Sequence, residues 1–97
     1  MITDFSDDAT ADIYNGNDTK RARKALPPQL HSVAIRRLDY LDAAARLDDL
    51  RVPPGNRLHP LTGDRAGQHA IRINDQYRIC FVWTPNGPSR VEITDYH

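Results

Sequence analysis

The sequence contains a single cysteine among its 97 residues, and this scarcity limits the chemistry available to it. A lone Cys80 cannot form an internal disulfide, and its position within an apolar run predicts a buried thiol. No apolar stretch approaches the roughly 20 residues that a membrane-spanning helix needs. The first residues also lack the basic and apolar regions of a signal peptide. These absences predict a cytoplasmic protein with no membrane partner.

Signatures of metal and nucleotide binding are missing as well. The four histidines and the single cysteine show none of the spacings that are typical of a zinc site. No glycine-rich phosphate loop or dinucleotide fingerprint is present. The sequence therefore predicts neither a metal site nor a cofactor.

The chain also lacks an excess of charge of either sign, because 13 basic residues balance 13 acidic ones. The balance conceals an asymmetry, since residues 1–18 carry five aspartates and no lysine or arginine. Residues 19–97 therefore hold all 13 basic residues against eight acidic ones, a net charge of +5. Residues 19–97 could therefore bind a polyanion, and the acidic residues 1–18 could compete with that polyanion. On charge alone, an ordinary solvated surface is the alternative.

Hydrophobic periodicity divides the chain into a helical first half and a second half of strands. Apolar residues at helical spacing from Leu30 predict one long amphipathic helix to about Asp49, preceded by a weaker helix over residues 7–14. Alternating patterns predict strands over residues 57–61, 68–74, 77–83 and 90–96, with a short additional one over residues 2–5. Ninety-seven residues predict one domain, residues 1–97. The predicted class is α+β, with two N-terminal helices packed on one face of a mostly antiparallel sheet of four to five strands.

Alternation within the strands assigns their side chains to two faces. The large apolar residues fall on the face that should meet the helices: Ile71, Ile73, Tyr77, Ile79, Phe81, Trp83, Val91 and Ile93. Polar residues fall on the opposite face, which is the predicted ligand-binding face: Arg72, Arg78, Glu92, Thr94 and Tyr96. Strict alternation places Asp95 and His97 on the helix side. The last strand would have to leave its register for them to join Tyr96.

The final tripeptide, Asp95-Tyr96-His97, places a carboxylate, a phenol and an imidazole side by side. These groups can form an acid–base cluster at the end of a sheet. Taken alone, such a tripeptide is more often ordinary surface.

Several segments of the second half combine into a specific pattern. They are Leu47-Asp48-Asp49-Leu50, Pro54-Gly55-Asn56-Arg57-Leu58, Leu61-Thr62-Gly63-Asp64-Arg65-Ala66-Gly67, Ile71-Arg72-Ile73-Asn74, Tyr77-Arg78-Ile79-Cys80-Phe81 and Val91-Glu92-Ile93-Thr94-Asp95-Tyr96-His97. Together with the opening Met1-Ile2 and Phe5, this pattern resembles the HigB branch of the RelE-like bacterial toxins. The resemblance spans the chain, is specific from about Asp42 onward and is loose over residues 15–26.

The resemblance implies a RelE-like fold, similar to that of microbial ribonucleases, and a toxin that cleaves messenger RNA in the ribosomal A site. In metal-independent cleavage, the ribose 2′-OH attacks the adjacent phosphate. The reaction needs a base for the 2′-OH, an acid for the leaving 5′-oxygen and cations for the charge on the phosphate. The implied partner is a HigA-like antitoxin with a helix-turn-helix, and operator DNA is bound only through the antitoxin complex.

The resemblance also implies roles for individual residues. His97 and His59 would transfer protons, with Asp95 orienting them or sharing that role. The division between acid and base stays open. Arg78 would stabilise the phosphate charge, unless it is an ion-pair partner that stabilises the fold, and Tyr96 would stack on a base or donate to phosphate. The expected RNA-binding residues are Arg57, Arg65, Arg72, Lys20, Arg21, Arg23 and Lys24, although residues 20–24 could equally face solvent or the antitoxin.

Two other functions remain open at this stage. One is a weakly catalytic binding module of the same fold, acting mainly in antitoxin-dependent transcriptional autoregulation. The balanced charge favours it, because binding to ribosomal RNA usually requires a basic protein. The other is a nuclease that works without the ribosome.

Overall fold

A computed structural model describes residues 1–95 of the chain, as three α-helices followed by four strands. These elements are α1 (Asp8–Tyr14), α2 (Lys20–Ala25), α3 (His31–Ala43), β1 (His59–Pro60), β2 (His69–Arg72), β3 (Tyr77–Thr84) and β4 (Gly87–Asp95). The strands pair antiparallel in the order β1-β2-β3-β4. The predicted α+β class, with helices on one side of a mostly antiparallel sheet, is confirmed.

The core lies between the helices and one face of the sheet, which we call the inner face. The inner-face side chains at its centre are buried: Ile71, Ile79, Phe81, Val91 and Ile93. They form one cluster with Leu38 and Leu41 of α3 and Ile13 of α1. Burial of each such side chain stabilises the fold by about 1.5–3 kcal/mol. The predicted packing of the apolar strand residues against the α3 stripe is therefore confirmed.

Helix α2 forms where the sequence predicted only a basic cluster. Thr19 caps the helix, because its hydroxyl accepts a hydrogen bond from the backbone N–H of Ala22 at 3.1 Å. Ala22 and Leu26 are fully buried in the core. The basic residues are therefore carried by a short helix that belongs to the helical layer.

The prediction that α3 continues to Asp49 was wrong, because the helix ends at Ala43. The Asp49 carboxylate accepts hydrogen bonds from the backbone N–H groups of Ala45 and Arg46, both at 3.0 Å. These bonds begin a separate 3₁₀ turn over Leu47–Arg51, which turns Leu50 into the core. Among the helices described, none is long and apolar enough to cross a membrane.

The predicted strand over residues 57–61 is reduced to the two residues of β1. Arg57 has φ +48°, a left-handed conformation that an extended strand cannot contain. The preceding Asn56 is fully buried and accepts a hydrogen bond from Arg37 Nη1 at 2.8 Å. Its amide also donates to the carbonyls of Leu50 and Val52. This network holds the segment before β1 against α3.

The N-terminal segment covers the outer edge of β4. Phe5 forms a single parallel bridge with Val91, so the predicted short strand over residues 2–5 is one bridge long. The Thr10 hydroxyl of α1 accepts the backbone N–H of Ile93 at 3.0 Å. Position 87, which packs against this segment, requires glycine, because a Cβ there would lie 2.2 Å from the carbonyl oxygen of Met1.

Candidate nucleic-acid interface and active face

The strand register gathers polar side chains on the face of the sheet away from the helices, which we call the outer face. Residues directly opposite one another on paired strands share a face. One cross-strand row contains His59, Ala70, Cys80 and Glu92, and the next contains Arg72, Arg78 and Thr94. The predicted placement of Arg72, Arg78, Glu92 and Thr94 on one polar face is confirmed. Cys80 is buried within this face, as predicted.

Arg72 and Arg78 are direct partners on β2 and β3. The Arg72 guanidinium forms an ion pair with the exposed Asp75, and Arg78 Nη1 donates to the carbonyls of Asn74 and Tyr77. Like charges placed opposite each other in a sheet are destabilising unless other groups compensate. Each guanidinium is a planar donor group of the kind that matches the oxygens of a phosphate.

His59 lies on the edge strand β1, two strands away from Arg78 on the outer face. Its Nδ1 is 2.8 Å from the carbonyl oxygen of Arg57. A carbonyl can only accept, so Nδ1 carries the proton, and Nε2 of the neutral ring is left as a proton acceptor. Nε2 makes no hydrogen bond to the residues that the structure describes. Nε2 of His59 is therefore available for proton transfer, at a position two strand spacings and one row from Arg78, about 12 Å away between backbones.

Asp95 ends β4 and lies opposite Tyr77, in the register of the inner face. It is exposed, and the Gln76 side-chain amide donates to its two carboxylate oxygens at 3.2 and 3.3 Å. As strict alternation predicted, the strand keeps its register through Asp95, which places this residue and Arg78 on opposite faces. The other two predicted residues of the terminal cluster, Tyr96 and His97, lie outside the described residues.

A loop between β1 and β2 folds back over the outer face. Leu61 packs on Ala70 and Cys80, forming a small apolar cluster separate from the main core. Four residues later, Arg65 Nη1 donates to Glu92 Oε1 at 3.3 Å and to Gln68 Oε1 at 3.0 Å. The hydrogen bond to Glu92 raises the pKa of the Arg65 guanidinium, so it stays charged.

The predicted RNA-binding residues of α2 are not on the outer face. The Arg21 guanidinium contacts the Asp12 carboxylate through two nitrogens, at 2.5 and 3.2 Å, and hydrogen bonding by Arg21 lowers the pKa of Asp12. Arg23 pairs with Asp18 at 2.8 Å. Lys20 and Lys24 are exposed in the same helical layer. The acidic N-terminal segment therefore neutralises the two arginines of the basic cluster.

Two further features complete the description of the site. Within residues 1–95, no three histidine, cysteine, aspartate or glutamate side chains lie close enough together to hold a metal ion. A pocket of about 270 Å³ lies on the helical side, between the α1–α2 connection and the start of α3, and not on the outer face. Sequence reasoning placed Glu92 on the polar face but gave it no role, because its contact with Arg65 spans 27 residues.

Comparisons with known proteins agree with this architecture. The family described as "RelE-like toxin of type II toxin-antitoxin system HigB" matches residues 3–97. Toxin HigB-1 of Vibrio cholerae serotype O1 is 41% identical over 83 residues, which span 86% of this chain and 84% of that protein. An uncharacterized protein of Haemophilus influenzae is 34% identical over 82 residues, spanning 84% of this chain and 78% of the relative.

Proposed function

Because the chain belongs to the HigB family of RelE-like toxins of type II toxin–antitoxin systems, we propose that it is a ribosome-dependent endoribonuclease that cleaves messenger RNA. The proposal includes a cytoplasmic location, where translation takes place. It also includes cleavage without a metal ion or cofactor.

The observation that supports cleavage best is the direct pairing of Arg72 with Arg78 on the outer face. A scissile phosphate gains negative charge in the transition state, and two fixed guanidiniums can stabilise it. Thr94 lies in the same row on β4, and the next residue, Asp95, begins the terminal acid–base tripeptide. The cations therefore lie near the point where β4 leads into that tripeptide, whereas His59 lies on β1, two strands away from Arg78.

The proposed reaction is attack of the ribose 2′-OH on the adjacent phosphate, giving a 2′,3′-cyclic phosphate and a 5′-OH. The 2′-OH proton goes to a base, and the leaving 5′-oxygen receives a proton from an acid. We assign these transfers to His59 and His97, with Asp95 orienting an imidazole or sharing the role. Arg78 stabilises the phosphate charge, and Tyr96 stacks on a base or donates to phosphate.

The proposed path of the message follows the outer face, where Arg57, Arg65 and Arg72 provide further cations. The arginines of α2 are already paired with aspartates of the N-terminal segment. We therefore assign the exposed surface of α2, with Lys20 and Lys24, to solvent or the antitoxin and not to the message. This separation lets an overall neutral chain keep a locally basic RNA surface.

The proposed partner is a HigA-like antitoxin with a helix-turn-helix, which neutralises the toxin. Operator DNA would be bound only by the toxin–antitoxin complex, through the helix-turn-helix of the antitoxin. A downstream reading frame that encodes a helix-turn-helix protein would support this pairing.

In-vitro translation followed by primer extension across the message tests the proposed function. Wild-type toxin is expected to produce cuts at codon positions only when ribosomes are present, and Arg78→Ala should remove most of them. Cuts in naked RNA would instead identify a ribosome-independent nuclease. Arg36→Ala is a matched control, because Arg36 is an exposed arginine on α3.

The second candidate is a weakly catalytic binding module that acts through antitoxin-dependent autoregulation. The formal net charge of zero favours it, since RNA binding depends strongly on cationic contacts. The same translation assay separates the two candidates. The absence of cuts under all conditions, together with operator binding by the toxin–antitoxin complex, would support the binding module.

A further inference from the structure

The loop that covers the outer face is held by two contacts of different kinds. Leu61 anchors its start in the apolar cluster with Ala70 and Cys80. Arg65 anchors its far side through Glu92, a residue of β4 that is half-buried on the outer face. Glu92 is therefore the contact that ties this loop to the last strand.

The way Arg65 is held leaves most of its donors available. Both of its hydrogen bonds leave from Nη1, to Glu92 and to Gln68. Nε and Nη2 make no hydrogen bond to the described residues, and one third of the side chain is exposed. A guanidinium fixed through one nitrogen can still present a planar pair of N–H donors to a phosphate.

The position of Glu92 brings this guanidinium close to the proposed cleavage site. Glu92 and Thr94 share a face and are two residues apart on β4, which separates them by about 7 Å. Thr94 is the direct partner of Arg78. Arg65 is thus held one row away from the Arg72–Arg78 pair, on the same side of the sheet.

We propose that Glu92 is a positioning residue, which holds Arg65 so that its remaining nitrogens bind an RNA phosphate adjacent to the one at Arg78. This inference rests on the proposed function, because it adds a second phosphate contact to the same face. Glu92 itself does not touch the RNA, and its carboxylate acts through Arg65.

A simple electrostatic role for Glu92 predicts the opposite result. Removal of a negative charge from a polyanion-binding face should strengthen RNA binding, whatever residue replaces it. A positioning role predicts weaker binding when Arg65 loses the Glu92 carboxylate and is held only by Gln68 of its own loop. Glutamine keeps an acceptor oxygen and alanine does not, so the positioning role also predicts that Glu92→Ala is the more damaging change.

The test measures binding of the full chain to a 2′-O-methyl RNA oligonucleotide, which cannot be cleaved by 2′-OH attack. Fluorescence anisotropy at several salt concentrations gives both the affinity and its salt slope. Asp48→Asn is the control, since Asp48 forms an exposed ion pair with Arg51 in the Leu47–Arg51 turn. Thermal melting verifies that each variant is folded, and Glu92→Gln provides the nearly isosteric change.

We expect Glu92→Ala to weaken RNA binding about three- to tenfold, because one charge-assisted phosphate contact is misplaced. The affinity of Glu92→Gln should lie between those of wild type and Glu92→Ala. The salt slope should fall by about 0.7, the value of one phosphate contact to a single strand. In an Arg65→Ala background, the Glu92→Ala substitution should cause no further loss of RNA affinity. Equal or tighter binding by both Glu92 variants, with an unchanged slope, would overturn the proposal.

Cleavage on translating ribosomes separates this inference from the function on which it rests. Glu92→Ala should raise KM and leave kcat nearly unchanged, because it disturbs a binding contact and not the reacting groups. Wild-type toxin that makes no ribosome-dependent cuts contradicts the proposed function. Active wild-type toxin with unaltered KM in both Glu92 variants contradicts only the positioning role.

Discussion

Arg72 and Arg78 stand directly opposite each other on β2 and β3, in the register of the outer face of the sheet. Such a like-charged pair opposes folding, and Asp75 together with two backbone carbonyls offsets the repulsion. A bound phosphate would offset it further.

Arg78 should matter most to the chemical step. Arg78→Ala is expected to lower kcat for ribosome-dependent cleavage by about 10²- to 10³-fold, because a donor to the developing phosphate charge is lost. Arg78→Lys should recover only part of this loss, since a lysine cannot provide the planar fork. Undiminished cleavage by a folded Arg78→Ala variant would rule out this role.

His59 should act through its Nε2 nitrogen. His59→Asn can keep a donor to the Arg57 carbonyl but cannot accept a proton at Nε2, so cleavage should fall by about 10²- to 10⁴-fold. His31→Gln is the control, because His31 also bonds a backbone carbonyl, that of Leu26, but through Nε2, which a glutamine amide can replace. Equal single-turnover rates for the two variants would remove His59 from the proton-transfer step.

Asn56 should contribute to stability and not to catalysis. Asn56→Asp keeps the acceptor for Arg37 but loses the donor to the carbonyls of Leu50 and Val52. We expect a loss of about 2–4 kcal/mol in the free energy of unfolding, because buried polar groups lose their partners. Urea denaturation measures this free energy, and Asn86→Asp is the control because Asn86 is exposed. A native-like unfolding midpoint for Asn56→Asp would contradict this assignment.

Asp12 should make the stability of the protein depend on pH in the acid range. Its pKa is lowered below the ordinary value of 3.8, chiefly by the hydrogen bond from Arg21. The folded state therefore favours the ionised carboxylate, and this stabilisation is complete above the unfolded pKa and is lost as the pH falls through the lower, folded pKa. The melting temperature of Asp12→Asn should lie below that of wild type at pH 7, and the difference should shrink below about pH 4.

The exposed Asp18→Asn variant is the reference for that measurement, because its ion pair with Arg23 is open to solvent. A difference between wild type and Asp12→Asn that stays constant from neutral to acid pH would show that the Arg21–Asp12 contact does not stabilise the ionised form.

Much of the site could be anticipated because alternation along a strand is a local property. The pattern over residues 71–83 was enough to place Arg72 and Arg78 on the face away from the apolar residues. The same rule put Asp95 on the opposite side, and the structure keeps it there. The end of α3 could not be anticipated, because the backbone N–H groups of Ala45 and Arg46 are captured by the Asp49 carboxylate.

The sequence by itself determined the α+β class, the two faces of the sheet and the family to which the chain belongs. Periodicity and motif spacing can be read from residues that are close together in the chain. The tertiary structure decided which charges remain available for a ligand. It paired the α2 arginines with aspartates of the N-terminal segment, placed Arg72 against Arg78, and joined Arg65 to Glu92. The Arg72–Arg78 pairing depends on the register of the β2–β3 hairpin, which alternation alone does not determine. The Arg65–Glu92 contact joins residues 27 apart and forms only when the loop packs on the sheet.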